Sequence, residues 1–154
     1  MHGMMASYSG ALAEITAGSK TSHWIWYVWP AHTKVRTTSK DREYSLPHAS
    51  AALAWLQHPT LGPRLLEITS AANYHLSKGV APKTLFGSGV DVTKFHECMT
   101  MFALAAEHLN ASAPDESMAA VATLCRRALT LLKADDHPTV ARVMSSELKE
   151  LAST

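Results

Sequence analysis

Four long segments of this chain repeat apolar residues every three or four positions, the spacing that places them on one face of a helix. The clearest segment begins after Asp91, where Phe95, Met99 and Phe102 follow one another at this spacing. Ala, Leu and Met account for 48 residues, whereas the β-branched Val and Ile account for 11. Because the first group favours helices and the second favours strands, the sequence predicts an all-α fold.

Four long helices are expected, near residues 58–78, 91–109, 114–133 and 137–151. The second of them has two apolar faces and is predicted to be the central, most enclosed helix. Before the third, Ser112 and Asp115 resemble a capping box in which Asp stands where Glu or Gln is usual. Shorter helices are expected near residues 9–17 and 47–57.

The length of 154 residues, with 47% apolar and 18% charged residues, is typical of one compact domain, here a single helical domain over residues 1–154. Within it, the stretch 33–42 has no apolar period and is predicted to be a mobile loop. The basic residues of this stretch are expected to be solvated: Lys34, Arg36, Lys40 and Arg42.

The charge and cysteine content limit the classes of partner and compartment. The net charge is +1, from 14 Lys and Arg against 13 Asp and Glu, so nucleic-acid binding is not expected. The longest uncharged stretch, 44–63, contains three prolines, so we expect no membrane span. The first thirteen residues lack the basic start and apolar run of a signal peptide, which favours a cytoplasmic protein. Cys98 and Cys125 lie in apolar helical segments, so reduced, buried thiols are expected. The oligomeric state is not predicted.

The most unusual stretch reads KTSHWIWYVWP, at residues 20–30, and holds three of the four tryptophans within six residues. In the simplest interpretation, Trp24, Trp26 and Trp29 anchor the core, since buried indoles supply a large apolar area. In a second, an exposed part of the cluster is a hot spot for binding another protein.

A third interpretation of the same stretch is a small-molecule pocket, in which an indole face stacks on a planar ligand. Stacking combined with cationic side chains suits a nucleotide-like molecule or a phosphorylated aromatic metabolite. The candidate binding residues are Lys20, Ser22, His23, Trp24 and Trp26, with Arg64 and Lys94 as candidate partners of an anionic group.

The sequence implies no cofactor and leaves open whether the chain is an enzyme. A zinc helix would need a second ligand four residues after His96, but that position is Thr100. His96 and Cys98 are two positions apart on a helix, so they face different ways and do not form a nucleophile and its base. We therefore predict no metal site and no Cys–His catalytic pair.

Three motifs follow one another along the chain: GSKTSHWIWYVWP at 18–30, LAWLQHPTLGPRLLE at 53–67 and LFGSGVDVTKFHECMTMF at 85–102. Together they resemble DUF1810, a family of small, mostly bacterial, all-helical proteins of unknown function, some of which carry the label calpastatin. Ala31 stands where that family usually has Gln. The resemblance implies the all-α fold, and it implies no reaction.

Overall fold

The computed structural model describes residues 3–36, 38 and 42–153, with the side chains of residues 3–7 excepted. Its α-helices in these ranges are α1 (Gly3–Thr16), α2 (Ile25–Val28), α3 (Ala49–Gln57), α4 (Leu61–Ser77), α5 (Pro82–Phe86), α6 (Gly89–Ser112), α7 (Glu116–Leu132) and α8 (Pro138–Ala152). A short 3-10 helix, Thr33–Val35, lies between α2 and α3. The predicted all-α fold is confirmed.

The four predicted long helices correspond to α4, α6, α7 and α8, and the two predicted shorter ones to α1 and α3. Helices α2 and α5 are not predicted from the sequence. These helices have four and five residues, which is too short for an apolar stripe to repeat.

The predicted capping box before α7 is wrong in one detail. Ser112 is the last residue of α6, and Asp115 alone caps α7. Its carboxylate accepts hydrogen bonds from the backbone N–H groups of Ser117 and Met118, at 2.8 and 3.2 Å. Asp115 adjoins the first turn of α7, so its short side chain reaches these otherwise unpaired donors.

The central helix is α6, as the sequence predicts. Phe95, Met99 and Phe102 are fully buried along it. It packs against α7 and α8, and also contacts α3, α5 and α2. A helix surrounded in this way needs apolar residues on more than one face, which explains its two stripes.

Trp29 and two phenylalanines form the aromatic centre of the core. The Trp29 ring lies 4.7 Å from Phe95 and 5.4 Å from Phe86, between ring centroids, in edge-on arrangements. Its indole N–H donates a hydrogen bond of 3.1 Å to Thr69 Oγ1, so the buried polar atom is satisfied. Trp24 is 2% exposed and Trp29 is fully buried, so both are core residues.

The stretch 33–42, predicted as a mobile loop, falls partly outside the described residues, which omit Thr37 and 39–41. One prediction for this stretch is wrong, because Arg36 is buried rather than solvated, with 1% of its surface exposed. Its guanidinium Nε donates a hydrogen bond of 3.1 Å to the buried carboxylate of Glu97. The ion pair offsets part of the cost of removing water from both charges.

Two further findings concern the membrane and the cysteines. Within residues 3–36, 38 and 42–153, no helix combines the length and the apolarity needed to cross a membrane. Cys98 and Cys125 are both buried and both free, as expected from their apolar surroundings.

Candidate functional site

A pocket with four aromatic side chains among its eight lining residues lies where α1, α2, α3 and α4 meet. It has a volume of about 230 Å³, and we call it the aromatic pocket. Its aromatic side chains are Tyr8, Tyr27, Tyr44 and Trp55. The remaining lining residues are Val28, Leu61, Arg64 and Leu65.

The close turn between α3 and α4 places two of these side chains. His58 Nδ1 accepts hydrogen bonds from the backbone N–H groups of Thr60 and Leu61, at 3.1 and 3.2 Å. At Gly62, an added Cβ would lie 2.4 Å from the carbonyl oxygen of Leu56. Only glycine therefore allows α3 and α4 to approach this closely. The approach brings Trp55 of α3 and Arg64 of α4 to the same pocket.

Tyr8 is held by α4 at both its ring and its hydroxyl. The guanidinium carbon of Arg64 lies 4.7 Å from the centroid of the Tyr8 ring, a cation–π contact. The Tyr8 hydroxyl donates to Glu67 Oε1 at 2.6 Å and also lies 3.1 Å from the Arg64 carbonyl oxygen. Burial, and then the hydrogen bond to Glu67, raise the pKa of Tyr8 well above its usual value. The phenol is therefore neutral in the physiological pH range.

Tyr27 and Tyr44 form another part of the lining of the aromatic pocket. Their ring centroids are 5.4 Å apart, with the planes tilted by 58°. Both side chains are half-buried, so part of each ring faces solvent or the pocket. These two rings already pack on each other and are partly exposed. Together they form a surface on which a third flat ring can pack.

Trp55 differs from the two core tryptophans in its hydrogen bonding. The indole N–H of Trp24 donates to Glu14 Oε1 at 2.9 Å, and that of Trp29 donates to Thr69. The Trp55 Nε1 is buried and has no hydrogen-bond partner in the structure. Buried N–H groups are nearly always paired. The indole N–H of Trp55 is thus a buried donor that the fold does not satisfy.

The candidate residues at 20–23 line a different pocket, of about 240 Å³, together with Phe86 and the start of α6. We call it the Lys20 pocket. The Lys20 ammonium lies 2.7 Å from Asp91 Oδ2 and donates to the Ser22 carbonyl oxygen at 2.6 Å. It also lies 5.0 Å from the Trp24 ring, and its side chain is only 5% exposed. Lys20 thus has three internal partners, and His23 is exposed at the same pocket.

Glu14 on α1 binds four hydrogen-bond donors of the tryptophan stretch. Its carboxylate accepts from Ser22 Oγ at 2.5 Å, from Trp24 Nε1, and from the backbone N–H groups of Thr21 and Ser22. Partial burial raises the pKa of Glu14, but these hydrogen bonds together outweigh it and lower the pKa to about 2. Glu14 is not among the predicted site residues, because no local spacing in the sequence connects it to Trp24.

The seven predicted site residues do not come together in one place. Lys20, Ser22 and His23 line the Lys20 pocket, while Arg64 lines the aromatic pocket. Trp24 is 2% exposed and offers no ring face to a ligand. Trp26 and Lys94 line neither of the two pockets.

Arg64 is one of the predicted site residues, but none of its aromatic neighbours in the pocket is. Three of the four tyrosines of the chain line the aromatic pocket: Tyr8, Tyr27 and Tyr44. They lie on separate parts of the chain, so no local spacing connects them. Only the packing of the helices brings them together.

A second polar cluster lies inside the protein, between α6 and the start of α8. Glu97 binds Arg36 through Oε1, and its Oε2 is 3.8 Å from His137 Nε2. The His137 ring packs edge-on against His96, at 5.4 Å between centroids. Among the residues that the structure describes, no group of three or more His, Cys, Asp or Glu side chains could hold a metal ion.

The comparisons with known proteins identify a family but no activity. No curated protein matches this chain. The crystal structure of the conserved hypothetical protein Rv1873 from Mycobacterium tuberculosis is similar, with a TM-score of 0.64 and 28% sequence identity. The similarity covers 87% of this chain and 94% of that one. The family model of DUF1810, a protein of unknown function, matches residues 1–120. This match, the three sequence motifs and the shared helical fold show that the chain belongs to the DUF1810 family.

Proposed function

We propose that this chain binds a small, planar, aromatic molecule in the aromatic pocket. The observation that supports this best is the convergence of four aromatic side chains, from separate parts of the chain, on one cavity of about 230 Å³. A buried cavity of about 150 Å³ in another protein holds benzene. The aromatic pocket therefore has room for one aromatic ring with a substituent, or for a compact bicyclic ring.

The size of the pocket narrows the class of ligand that the sequence suggests. Pockets for drug-sized molecules measure about 300–1,000 Å³. At about 230 Å³, the aromatic pocket is below that range, so a whole nucleotide would extend out of it. A ring packed against Tyr27, Tyr44 and Trp55 would gain about 0.5–1.5 kcal/mol for each favourable ring pair, beyond the apolar area buried.

The Lys20 pocket is the second candidate for ligand binding. The observation that favours it is that Lys20, Ser22 and His23 lie around one cavity. Its cation, however, is already paired with Asp91, and Ser22 Oγ is bound to Glu14. An incoming anion would have to displace Asp91, so we rank this pocket below the aromatic one. The half-buried Trp26 is the part of the tryptophan cluster through which a protein partner could bind instead.

We propose that the chain works in the cytoplasm. Both of its thiols are free and buried, which suits a reducing compartment.

The indole N–H signals in a nitrogen-15 NMR spectrum test the proposal and discriminate between the two pockets. We would titrate the labelled protein with unlabelled indole, phenol and benzyl alcohol, and assign the Trp55 signal with a Trp55→Phe variant. The proposal predicts a saturable shift of the Trp55 signal, with the Trp24 signal unchanged because that N–H stays bound to Glu14. A saturable shift of Trp24 alone would favour the Lys20 pocket. The absence of any saturable shift of Trp55 would contradict the proposal.

Two matched leucine variants on α4 provide the control. Leu61 lines the aromatic pocket and Leu66 does not, yet both are half-buried. Leu61→Phe should fill part of the cavity and weaken binding, whereas Leu66→Phe should leave the affinity unchanged. Equal effects of the two variants would show that the ligand lies elsewhere.

A further inference from the structure

We infer that the ligand of the aromatic pocket carries a hydrogen-bond acceptor on its ring, and that this acceptor is bound by the indole N–H of Trp55. This inference depends on the proposed function of that pocket and adds the polar group by which the ligand is recognised. It follows from the missing partner of the Trp55 N–H and from the position of Trp55 in the pocket.

The unused donor of Trp55 differs from the other unpaired atoms of the interior. Among the residues that the structure describes, three buried side-chain polar atoms have no hydrogen-bond partner: Arg36 Nη1, Asn73 Oδ1 and Trp55 Nε1. Arg36 and Asn73 each form hydrogen bonds through other atoms of the same side chain. The indole N–H is the single polar group of a tryptophan side chain, and it can only donate. Trp55 is therefore left with its whole hydrogen-bonding capacity unused.

Trp55 lies between the core and the aromatic pocket. Its ring packs against the buried Phe102 of α6, with 6.1 Å between the ring centroids and the planes tilted by 41°. The same side chain lines the aromatic pocket and is half-buried rather than fully enclosed. The cavity of about 230 Å³ beside the ring leaves room for Trp55 to turn its N–H towards a ligand.

A buried donor without a partner favours ligands that can accept from it. The folded protein already bears the cost of removing water from this N–H. A ligand acceptor that pairs with it forms a hydrogen bond without a further desolvation cost on the side of the protein. A ring that has no acceptor leaves the donor unpaired in the bound state as well. The pocket should therefore prefer the ring with the acceptor.

The tyrosines of the pocket do not select for an acceptor in the same way. The Tyr8 hydroxyl already donates to Glu67. The hydroxyl of Tyr27 or Tyr44 can either donate or accept, so it can pair with a ligand group of either kind. The indole N–H of Trp55 only donates, so it is the group of the pocket that distinguishes an acceptor from a donor.

Indole, benzimidazole and 7-azaindole test the inference by NMR titration at pH 8, where all three are uncharged. The three probes have nearly the same size and shape, and each has a ring N–H. Benzimidazole and 7-azaindole also have a second ring nitrogen, which accepts a hydrogen bond. We expect at least one of these two probes to move the indole proton of Trp55 further downfield than indole does, because a proton shifts downfield when it enters a hydrogen bond.

A Trp55→Phe variant keeps an aromatic ring at this position and removes the donor. The affinity of the acceptor probe relative to indole should fall about tenfold in this variant, the factor that one hydrogen bond to a buried donor supplies. Using the ratio removes the effect of the smaller Phe ring, which the three similar probes share. Tyr27→Phe and Tyr44→Phe are the matched controls, because they remove a hydroxyl from the same pocket and should leave the ratio unchanged.

The outcomes separate the inference from the proposed function. If indole binds and the ratio is the same in Trp55→Phe as in the parent, the acceptor inference is wrong while the pocket proposal stands. The same conclusion follows if neither acceptor probe moves the Trp55 proton further than indole does, a result that needs only the parent protein. A ratio that falls in a tyrosine variant instead would assign the contact to that tyrosine and overturn the inference. If the parent binds none of the three probes, both the inference and the proposed function are contradicted.

Discussion

At the scale of single residues, the contacts of Glu14 assign a structural role to part of the tryptophan motif, KTSHWIWYVWP at 20–30. The carboxylate of Glu14 accepts hydrogen bonds from Ser22 and Trp24, two residues that the sequence suggested for ligand binding. Lys20 has a comparable structural role, because it joins the motif to Asp91 at the start of α6. The motif therefore connects α1 to α6, and its exposed residues are Thr21, Ser22 and His23.

Replacing Glu14 with Gln should destabilise the protein by about 2 kcal/mol at pH 7, the usual cost of hydrogen bonds lost from a charged acceptor. The pKa of Glu14 is lowered from 4.5 to about 2, so its ionised form stabilises the folded state. That stabilisation is present above pH 4.5 and is lost as the pH falls towards 2. Urea unfolding at pH 7 and at pH 3 measures both effects.

The control for this prediction is Glu150→Gln, at an exposed position of α8. It should unfold like the parent at both pH values. If Glu14→Gln loses as much stability between pH 7 and pH 3 as the parent does, the hydrogen bonds of Glu14 are not the source of the acid sensitivity.

The two cysteines should react slowly with thiol reagents in the folded protein. Burial raises the pKa of Cys98 well above its usual value and that of Cys125 to about 12, so neither forms a thiolate at neutral pH. We expect labelling at pH 7.5 to follow the rate of unfolding, and to become fast in urea. Labelling of one thiol per chain within seconds in native buffer would contradict this prediction and would indicate a nucleophilic cysteine.

At the scale of elements, the turn from α3 to α4 depends on one glycine. Gly62→Ala should destabilise the protein by about 1–3 kcal/mol or more, since its Cβ would meet backbone that cannot move aside easily. Gly10→Ala is the matched control, because an added Cβ at Gly10 in α1 meets nothing within 4 Å. It should stabilise the protein by about 0.5–1 kcal/mol. Thermal melts of the two variants should therefore shift in opposite directions, and a gain in both would contradict the close approach.

The last helix, α8, depends on a histidine at its start. His137 Nδ1 accepts from the backbone N–H of Val140 at 3.5 Å, and the His137 backbone N–H donates to Thr100 Oγ1 at 2.9 Å. Burial, and then the nearby His96, lower the pKa of His137 below 6.5. The neutral ring is thus the form that the folded protein prefers, because only this form can accept the capping hydrogen bond.

The stability of the protein should therefore fall as the pH drops below about 6.5, where the unfolded chain binds a proton that folded His137 resists. His137→Asn keeps a capping side chain and cannot titrate, so it should flatten this slope. Urea unfolding at pH 7.5 and pH 5.5 measures the difference. An unchanged slope in His137→Asn would assign the acid sensitivity to another group.

At the scale of the whole molecule, the sequence predicts the helices well and the pockets poorly. Stripes and caps are local signals, so α4, α6, α7 and α8 could be predicted from residues a few positions apart. The burial of Arg36 depends on Glu97, 61 residues away, and no local pattern contains that contact. The aromatic pocket is not predictable from local sequence patterns for the same reason. Its lining residues come together only when α1, α2, α3 and α4 pack.

Helix α8 contacts residues that are distant from it in the sequence. The family match ends at residue 120, within α7, yet Glu147 of α8 reaches the first half of the chain. Its carboxylate accepts from the backbone N–H of Ala49 at 2.7 Å and lies 3.0 Å from His32 Nε2. The C-terminal helix thereby caps the start of α3, the helix that carries Trp55.

The central claim, that the aromatic pocket is a binding site, is tested most directly by a crystal structure of this chain grown with saturating indole. We predict that the indole ring lies between Tyr27, Tyr44 and Trp55. Indole bound at the Lys20 pocket, with the aromatic pocket empty, would contradict the claim.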